Sequence, residues 1–270
     1  MIVVTGATGN IGRPLTQALA NAGEQVTAVS RHAAEVPEGV RHVVADLAEP
    51  ATLDLAGAKA LFLFPSGDSA AVVRRAVDSG VRRVVLLSSL GVATRPFGTT
   101  RIAMRELEDR LKGSGLDWAV LRPGGFASNA LWWAEQVRAN RTVAAPFGDV
   151  GVPVIDPADI AEVAAACLLD DRHTGGVYEL TGPEVVTPRQ QANAIAEALG
   201  EPVRFHELTR AEAKRGMEQL MPGELADDTL DILGAPTEAE LRVSPDVHTV
   251  LGRAPRTFAD WTARNVEAFR

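Results

Sequence analysis

The strongest constraint on this chain lies in its first twelve residues. Residues 1–5 form an apolar run typical of a buried strand, and the glycine-rich run Gly6-Ala7-Thr8-Gly9-Asn10-Ile11-Gly12 follows directly. Leu15 and Leu19 then recur at helical spacing. The order of strand, glycine turn and helix predicts a dinucleotide site, because the N-H groups at a helix start can hold a pyrophosphate.

The glycines of this turn have separate predicted roles. Gly6 allows the sharp turn out of the strand, Gly9 lets backbone approach a pyrophosphate, and Gly12 lets the helix pack close to the sheet. A P-loop is excluded, because no Gly-Lys-Ser/Thr follows. The predicted dinucleotide cradle comprises Gly6, Thr8, Gly9, Asn10, Ile11 and Gly12.

The end of the second predicted strand bears on the choice of cofactor. Ser30 and Arg31 stand where an NAD-preferring site carries an acid for the ribose, and no acid is present. Arg31 can instead pair with a 2'-phosphate, and a charge-assisted contact of about 1.5–3 kcal/mol gives roughly ten- to hundredfold preference. The sequence therefore predicts NADP(H) in preference to NAD(H), the alternative being that Arg31 is a solvated loop residue.

The spacing Thr-Gly-Ala-Thr-Gly-x-x-Gly in residues 5–12 resembles that of the atypical and extended short-chain dehydrogenases. Residues 107–118 and 121–123 make the chain most similar to the NmrA-like branch, which includes quinone, azo-dye and triphenylmethane reductases. The resemblance covers nearly the whole chain and implies an α/β fold, a Rossmann-type doubly wound parallel sheet. We expect a cofactor-binding core in residues 1–125, completed by elements within about 152–182, and a smaller, mainly substrate-side region in 126–270.

The resemblance also implies which residues line the cofactor. Residues after the third and fourth predicted strands flank the adenine, ribose and phosphates, while those after the sixth pass the nicotinamide. Two alternatives stay open, namely that Asp46 caps a helix and that Phe64 belongs to the core with Phe62. The cofactor residues expected outside the glycine turn are Ser30, Arg31, Asp46, Leu47, Phe64, Pro65, Ser88, Pro123 and Phe126.

The expected catalytic positions depart from the family pattern. Ser88 follows the fifth predicted strand, so we expect it to face the nicotinamide and help position a substrate, or else to cap a loop. The family's Tyr-x-x-x-Lys pair falls on Thr100 and Met104, so neither catalytic residue is present. An ordinary ketone then lacks its proton donor, whereas a quinone, azo group or cationic dye disperses or cancels the charge that hydride brings.

The substrate side is predicted from a helix after residue 125, which carries Asn129, Trp132 and Trp133. At most one of two adjacent tryptophans on a helix can face the core squarely. The other is a candidate wall for a flat aromatic ligand, unless both cover the seam between domains.

Composition narrows the remaining classes of function and location. A net charge of -8 argues against a nucleic-acid surface. The chain shows neither an apolar leader nor a long apolar span, so we expect no membrane association and a cytoplasmic location. The single cysteine, Cys167, lies in an apolar stretch and is expected in the core, and the five scattered histidines suggest no metal site.

These observations predict an NADPH-dependent reductase that transfers hydride to a conjugated small molecule such as a quinone, without the usual Tyr/Lys pair. The alternative is an NmrA-type redox sensor or regulatory protein that binds NADP(H) without turnover. The missing tyrosine and lysine favour the sensor, whereas Ser88 and the aromatic wall favour the enzyme. The sequence specifies neither the substrate nor the oligomeric state.

Overall fold

Short apolar strands alternate with helices through the first half of the chain. The structure is a computed structural model and describes residues 1–98 and 100–270. The strands are β1 (Ile2–Thr5), β2 (Val26–Ser30), β3 (Arg41–Val44), β4 (Ala60–Leu63), β5 (Arg83–Leu87), β6 (Asp117–Pro123), β7 (Thr142–Ala145), β8 (Gly176–Leu180) and β9 (Arg204–Glu207). The α-helices are α1 (Gly12–Asn21), α2 (Ser69–Asp78), α3 (Gly91–Thr94), α4 (Thr99–Lys112), α5 (Ala134–Asn140), α6 (Pro157–Leu169), α7 (Pro188–Leu199), α8 (Arg210–Met217), α9 (Gly223–Gly234), α10 (Glu238–Leu241), α11 (Asp246–Leu251) and α12 (Phe258–Asn265). Short 3-10 helices span Pro50–Thr52, Ala127–Trp133, Asp171–His173 and Val266–Phe269.

The described chain divides into two units, each built from separate stretches of sequence. The first unit comprises Met1–Pro123, Pro157–Leu180 and Asp246–Arg253. The second comprises Gly124–Asp156, Thr181–Pro245 and Ala254–Arg270.

A parallel sheet of seven strands, counted over the described residues, organises the first unit. Its order is β3-β2-β1-β4-β5-β6-β8. The chain moves outward on one side of β1 and then returns to place β4 on its other side, so the switch point of the topology lies between β1 and β4. This arrangement confirms the predicted doubly wound α/β fold, in which ligands bind beyond the carboxyl ends of the strands.

The strands form because their side chains are buried on both faces of the sheet. Every residue of β1, β2, β4 and β5 is buried, which is why these segments are mainly apolar. One face packs on residues of α2 and α4. The main contacts of that core include Val3, Leu61, Leu63, Val72, Val73, Leu86, Leu107 and Leu111.

The second unit has its own apolar core around a two-stranded parallel pairing of β7 with β9. Its aromatic centre consists of Phe258, Trp261 and Phe269. The ring centroid of Trp261 lies 5.5 Å from that of Phe258 and 6.4 Å from that of Phe269. The predicted substrate-side helix begins as the 3-10 helix Ala127–Trp133 and continues as α5.

No helix among the described residues combines enough length with enough apolar character to cross a membrane.

Candidate functional site

Thr5 ties together the two strands at the switch point of the first unit. Its buried hydroxyl donates to the Phe62 carbonyl at 2.9 Å and accepts from the Phe64 N-H at 2.8 Å. The carboxyl ends of β1 and β4 are therefore held side by side where the glycine turn begins. Phe62 is buried and Phe64 is 41% exposed, so of the two phenylalanines only Phe62 belongs to the core.

The glycine turn is shaped by positions that have no room for a side chain. Gly6 has φ of 64°, a left-handed conformation that favours glycine. A β-carbon on Gly12 would lie 2.1 Å from the Gly6 carbonyl oxygen, so α1 packs directly on the turn. A β-carbon on Gly9 would lie 3.3 Å from the same oxygen. Close packing of turn against helix, rather than of helix against sheet, is what requires Gly12.

The start of α1 offers the features that a pyrophosphate needs. Within the described residues, no side chain caps this helix, and its first turn contains no acid. Thr8, Gly9 and Asn10 are exposed, while Ile11 is buried and anchors the turn. The Arg13 N-H already donates to the Gly9 carbonyl at 3.0 Å, and Pro14 has no N-H. The helix dipole and the absence of a capping side chain nevertheless suit a pyrophosphate bound at the turn.

Arg13 is a second basic residue at the turn, which the sequence analysis did not single out. Its guanidinium Nη2 lies 3.5 Å from the Thr8 carbonyl oxygen, and the residue is exposed. The available signal was its place directly after the third glycine, in the first turn of α1.

Arg31 follows β2 and is exposed, and no hydrogen bond or ion pair engages it within the described residues. Its neighbour Ser30 is buried, and the Ser30 hydroxyl lies 2.7 Å from both the His32 carbonyl oxygen and His42 Nε2. The expected cofactor residue Ser30 thus holds the turn on which Arg31 stands. His42 was missed because its contact with Ser30 depends on the register between β2 and β3.

The loops after β3 and β4 pack on one another through backbone. Leu47 is buried and its carbonyl accepts from the Asp68 N-H at 2.9 Å. A β-carbon on Gly67 would lie 2.3 Å from the Ala48 nitrogen. The Asp46 carboxylate accepts from the Ala48 N-H at 2.9 Å, so it stabilises its own turn instead of capping a helix, and it remains exposed.

Ser88 lies at the end of β5, but its hydroxyl is already engaged by a buried carboxylate. It donates to Glu108 Oε1 at 2.6 Å, and Glu108 is 0% exposed. Arg122 donates to the same carboxylate from Nε at 3.0 Å and from Nη2 at 2.6 Å, and Lys112 Nζ lies 3.0 Å from Oε2. We call these four residues, Ser88, Glu108, Lys112 and Arg122, the Glu108 network.

The Glu108 network keeps its carboxylate ionised. Burial raises the pKa of Glu108, but hydrogen bonds from Arg122, Ser88 and Lys112 outweigh burial and hold the pKa below its ordinary value. The hydrogen bond to Glu108 raises the pKa of Arg122. Because the Ser88 proton is directed at an anion, the Ser88 oxygen is suited to accept a hydrogen bond from a ligand and poorly suited to donate one.

The two positions at which the Tyr/Lys pair was expected carry neither a phenol nor an ammonium. Thr100 is exposed, and Met104 packs against the apolar core of the first unit. The single tyrosine, Tyr178, lies on β8, where its hydroxyl is 2.8 Å from His173 Nδ1. Burial raises the pKa of Tyr178, the opposite of the shift that a catalytic phenol requires.

The expected nicotinamide-side and substrate-side residues lie in different units. Pro123 ends β6 of the first unit and its carbonyl accepts from the Leu90 N-H at 2.9 Å. Phe126 and Asn129 belong to the second unit, where Asn129 is exposed and its N-H donates to the Phe126 carbonyl at 3.0 Å. Pro65 lies in the first unit, directly after Phe64.

The two adjacent tryptophans differ in their surroundings. Trp133 packs against the core of the second unit, whereas Trp132 is 51% exposed. Only Trp132 therefore presents much of its ring to a ligand.

Two other kinds of site were considered. Among the described residues, no three His, Cys, Asp or Glu side chains come together as potential metal ligands. Cys167 is buried, and burial raises the pKa of its thiol to about 12, so the thiol is not activated as a nucleophile.

The comparisons with known proteins agree with this geometry. The model of an NAD(P)H-binding family matches residues 6–171. The chain is 36% identical to the (4-alkanoyl-5-oxo-2,5-dihydrofuran-3-yl)methyl phosphate reductase of Streptomyces griseus and 33% identical to the NAD(P)H azoreductase of Xenophilus azovorans, in each case over 100% of this chain and 99% of the relative. The NADPH complex of the quinone oxidoreductase QOR2 from Escherichia coli has a TM-score of 0.80 at 26% identity, covering 98% of this chain and 99% of that one.

These matches confirm the resemblance on which the sequence analysis relied. They also establish that the chain binds NAD(P)H, since the family model spans the glycine turn from Gly6 onward and the other cofactor-side elements. The chain therefore belongs to the NAD(P)H-binding family, alongside these reductases.

Proposed function

We propose that this protein is an NADPH-dependent reductase that transfers hydride to a conjugated small molecule. The observation that carries the proposal is the pairing of a phosphate cradle at α1 with the absence of an activated proton donor at Ser88, Thr100 and Met104. A site of this kind favours acceptors whose reduced form disperses its own charge.

The residues of the first unit fit the cofactor in a specific order. The uncapped start of α1 would hold the pyrophosphate, and exposed Arg31 would pair with the 2'-phosphate. When bound, NADPH supplies the hydride. Arg31 supports a preference for NADPH over NADH, because it carries an unpaired guanidinium where an NAD-preferring site carries an acid.

The substrate class follows from the chemistry of the relatives. The Streptomyces griseus relative reduces a phosphorylated lactone whose ring double bond is conjugated with two carbonyl groups, and the others act on azo compounds and quinones. In each of these acceptors the added electrons spread over several atoms. We propose an acceptor of the same electronic kind, with exposed Trp132 as the surface on which it stacks.

The absorbance of NADPH tests this proposal directly. The panel is a quinone, an azo dye, an acyl-substituted unsaturated lactone and a simple ketone, each assayed with NADPH and with NADH. We expect oxidation of NADPH by at least one conjugated acceptor and none by the ketone. Rapid turnover of the ketone would contradict the proposal, because it would require a proton donor that these positions do not supply.

A second candidate function is an NADP(H) sensor that binds the cofactor without turnover. The commitment of the Ser88 proton to Glu108 favours it, because Ser88 then has no free proton to direct at a substrate. Tight NADPH binding with no oxidation by any conjugated acceptor would support the sensor and contradict the reductase.

A further inference from the structure

We propose that His42 is a positioning residue for cofactor choice, which acts through Ser30 to hold the turn that presents Arg31 to a 2'-phosphate. The inference rests on the proposed preference for NADPH and identifies a residue that helps to set it. His42 itself would not touch the cofactor.

The geometry links the His42 side chain on β3 with Ser30, which ends β2, and with the backbone of His32 just beyond it. His42 lies opposite Ala28 in the sheet, which places its ring beside Ser30, two residues further along β2. Ser30 is 8% exposed, and its hydroxyl lies 2.7 Å from His42 Nε2 and 2.7 Å from the His32 carbonyl oxygen. The hydroxyl therefore bridges a side chain on the edge strand and the backbone just past Arg31.

The available donors and acceptors determine which atoms of Ser30 and His42 carry the protons. The Ser30 hydroxyl has one proton, and the His32 carbonyl has none to offer, so Ser30 donates to His32. His42 must then donate from Nε2 to the Ser30 oxygen. The pattern assigns the tautomer of His42 with its proton on Nε2.

This arrangement should affect NADP(H) and NAD(H) differently. Arg31 is exposed, and holding its backbone in place lowers the conformational entropy that would be lost when it binds a phosphate. NAD(H) has no 2'-phosphate, so its affinity gains nothing from the orientation of Arg31. Loss of the His42 contact should consequently weaken NADP(H) binding and leave NAD(H) binding almost unchanged.

The test measures dissociation constants of NADP+ and NAD+ by titration of the full chain, without turnover. We expect His42→Ala to reduce the preference for NADP+ about two- to tenfold, the effect of one neutral hydrogen bond. His42→Gln, which retains an N-H donor, should recover part of that preference. Because both residues act through one chain of bonds, His42→Ala with Ser30→Ala should lose no more than Ser30→Ala alone.

The control is His206→Ala, an exposed histidine on β9 of the second unit, which should change neither affinity. The proton on His42 Nε2 provides a readout in the cofactor-free protein, since nitrogen NMR distinguishes the two tautomers, and we expect Ser30→Ala to alter that signal.

Two outcomes distinguish a failure of the role inferred for His42 from a failure of the proposed NADPH preference. A parent protein that binds both cofactors equally contradicts the NADPH preference, and the inference falls with it. A parent protein that prefers NADP+, together with a His42→Ala variant that keeps the whole preference or loses both affinities equally, overturns the inference alone.

Discussion

The two ends of the proposed cofactor site in the first unit are built in opposite ways. The glycine turn of residues 6–12 works through missing side chains, since its key distances are from hypothetical β-carbons to backbone. The Glu108 network works through side chains, with a fully buried carboxylate held by donors from β6, from α4 and from Ser88, directly after β5. The turn can be recognised from a short stretch of sequence, whereas the network exists only because distant residues meet.

The largest expected effect comes from breaking the Glu108 network. Glu108→Ala should lower the free energy of unfolding by about 3–5 kcal/mol, because it leaves the largely buried Arg122 without its counter-charge. Denaturant unfolding would measure the change, with Glu106→Ala, an exposed glutamate on the same helix, as the control. A loss below about 1 kcal/mol, the usual value for an exposed pair, would show that the network does not behave as a buried one.

Lowering the pH should reproduce part of that loss in the free energy of unfolding. The pKa of Glu108 in the folded protein lies below its ordinary value of 4.5, so its stabilising contribution is present above that value and disappears as the pH falls through the folded pKa. The difference in unfolding free energy between the parent and Glu108→Gln should therefore shrink as the pH drops below about 4.5. A difference that stays constant down to strongly acidic pH would contradict the ionised state of Glu108.

The cofactor preference tests the phosphate end of the site. Arg31→Ala should reduce the preference for NADP(H) about ten- to hundredfold, because it removes a charge-assisted contact with the 2'-phosphate. Binding titrations with both cofactors measure it, and Arg41→Ala, an exposed arginine on β3, serves as the control. An unchanged ratio would show that Arg31 is a solvated loop residue.

The glycine turn is expected to tolerate no side chain at its third glycine. Gly12→Ala should lower the free energy of unfolding by about 1–3 kcal/mol and weaken the binding of both cofactors, because a β-carbon would lie 2.1 Å from the Gly6 carbonyl oxygen. Gly216→Ala in α8 is the matched control, since its β-carbon would meet nothing within 4 Å. Equal stability of Gly12→Ala and the parent would show that the close packing is dispensable.

The smallest expected effect is at Ser88. Ser88→Ala should lower kcat/KM for a conjugated acceptor about two- to tenfold, because it removes one hydrogen bond that the Ser88 oxygen would accept from the bound ligands at the nicotinamide end. A general acid would lose about 10² to 10⁴-fold. A thousandfold loss would therefore make Ser88 the proton donor, despite its bond to Glu108, and would remove the contrast between the two ends of the site.

The surroundings of Thr100 and Met104 also bear on whether a Tyr/Lys pair could be introduced there. Thr100→Tyr leaves an exposed position exposed, but Met104→Lys would put an ammonium against the apolar core beside Leu107 and Leu111. The Tyr-x-x-x-Lys spacing alone therefore would not rebuild a ketone reductase here.

The sequence alone is enough to predict the fold class, the order of the main strands along the chain and the glycine turn. Each of these depends on local signals, namely apolar runs for strands buried on both faces and glycines where a side chain has no room. The position of Arg31 after β2 could likewise be predicted, because it is found by counting residues from the glycine turn.

Which side chains these elements bring together depends on how the elements pack. Phe62 and Phe64 are indistinguishable in the sequence, but β4 ends at Leu63, so Phe62 is buried in the sheet and Phe64 lies beyond its edge. Trp132 and Trp133 likewise differ in burial, because only Trp133 packs against the core of the second unit. Ser88 and its partner Glu108 are 20 residues apart, so their hydrogen bond requires the packing of α4. Ser30 and its partner His42 are 12 residues apart, so their hydrogen bond requires the register of β3 against β2. Such contacts leave no periodic or local trace in the chain, since they arise from the alignment of elements and not from the elements themselves.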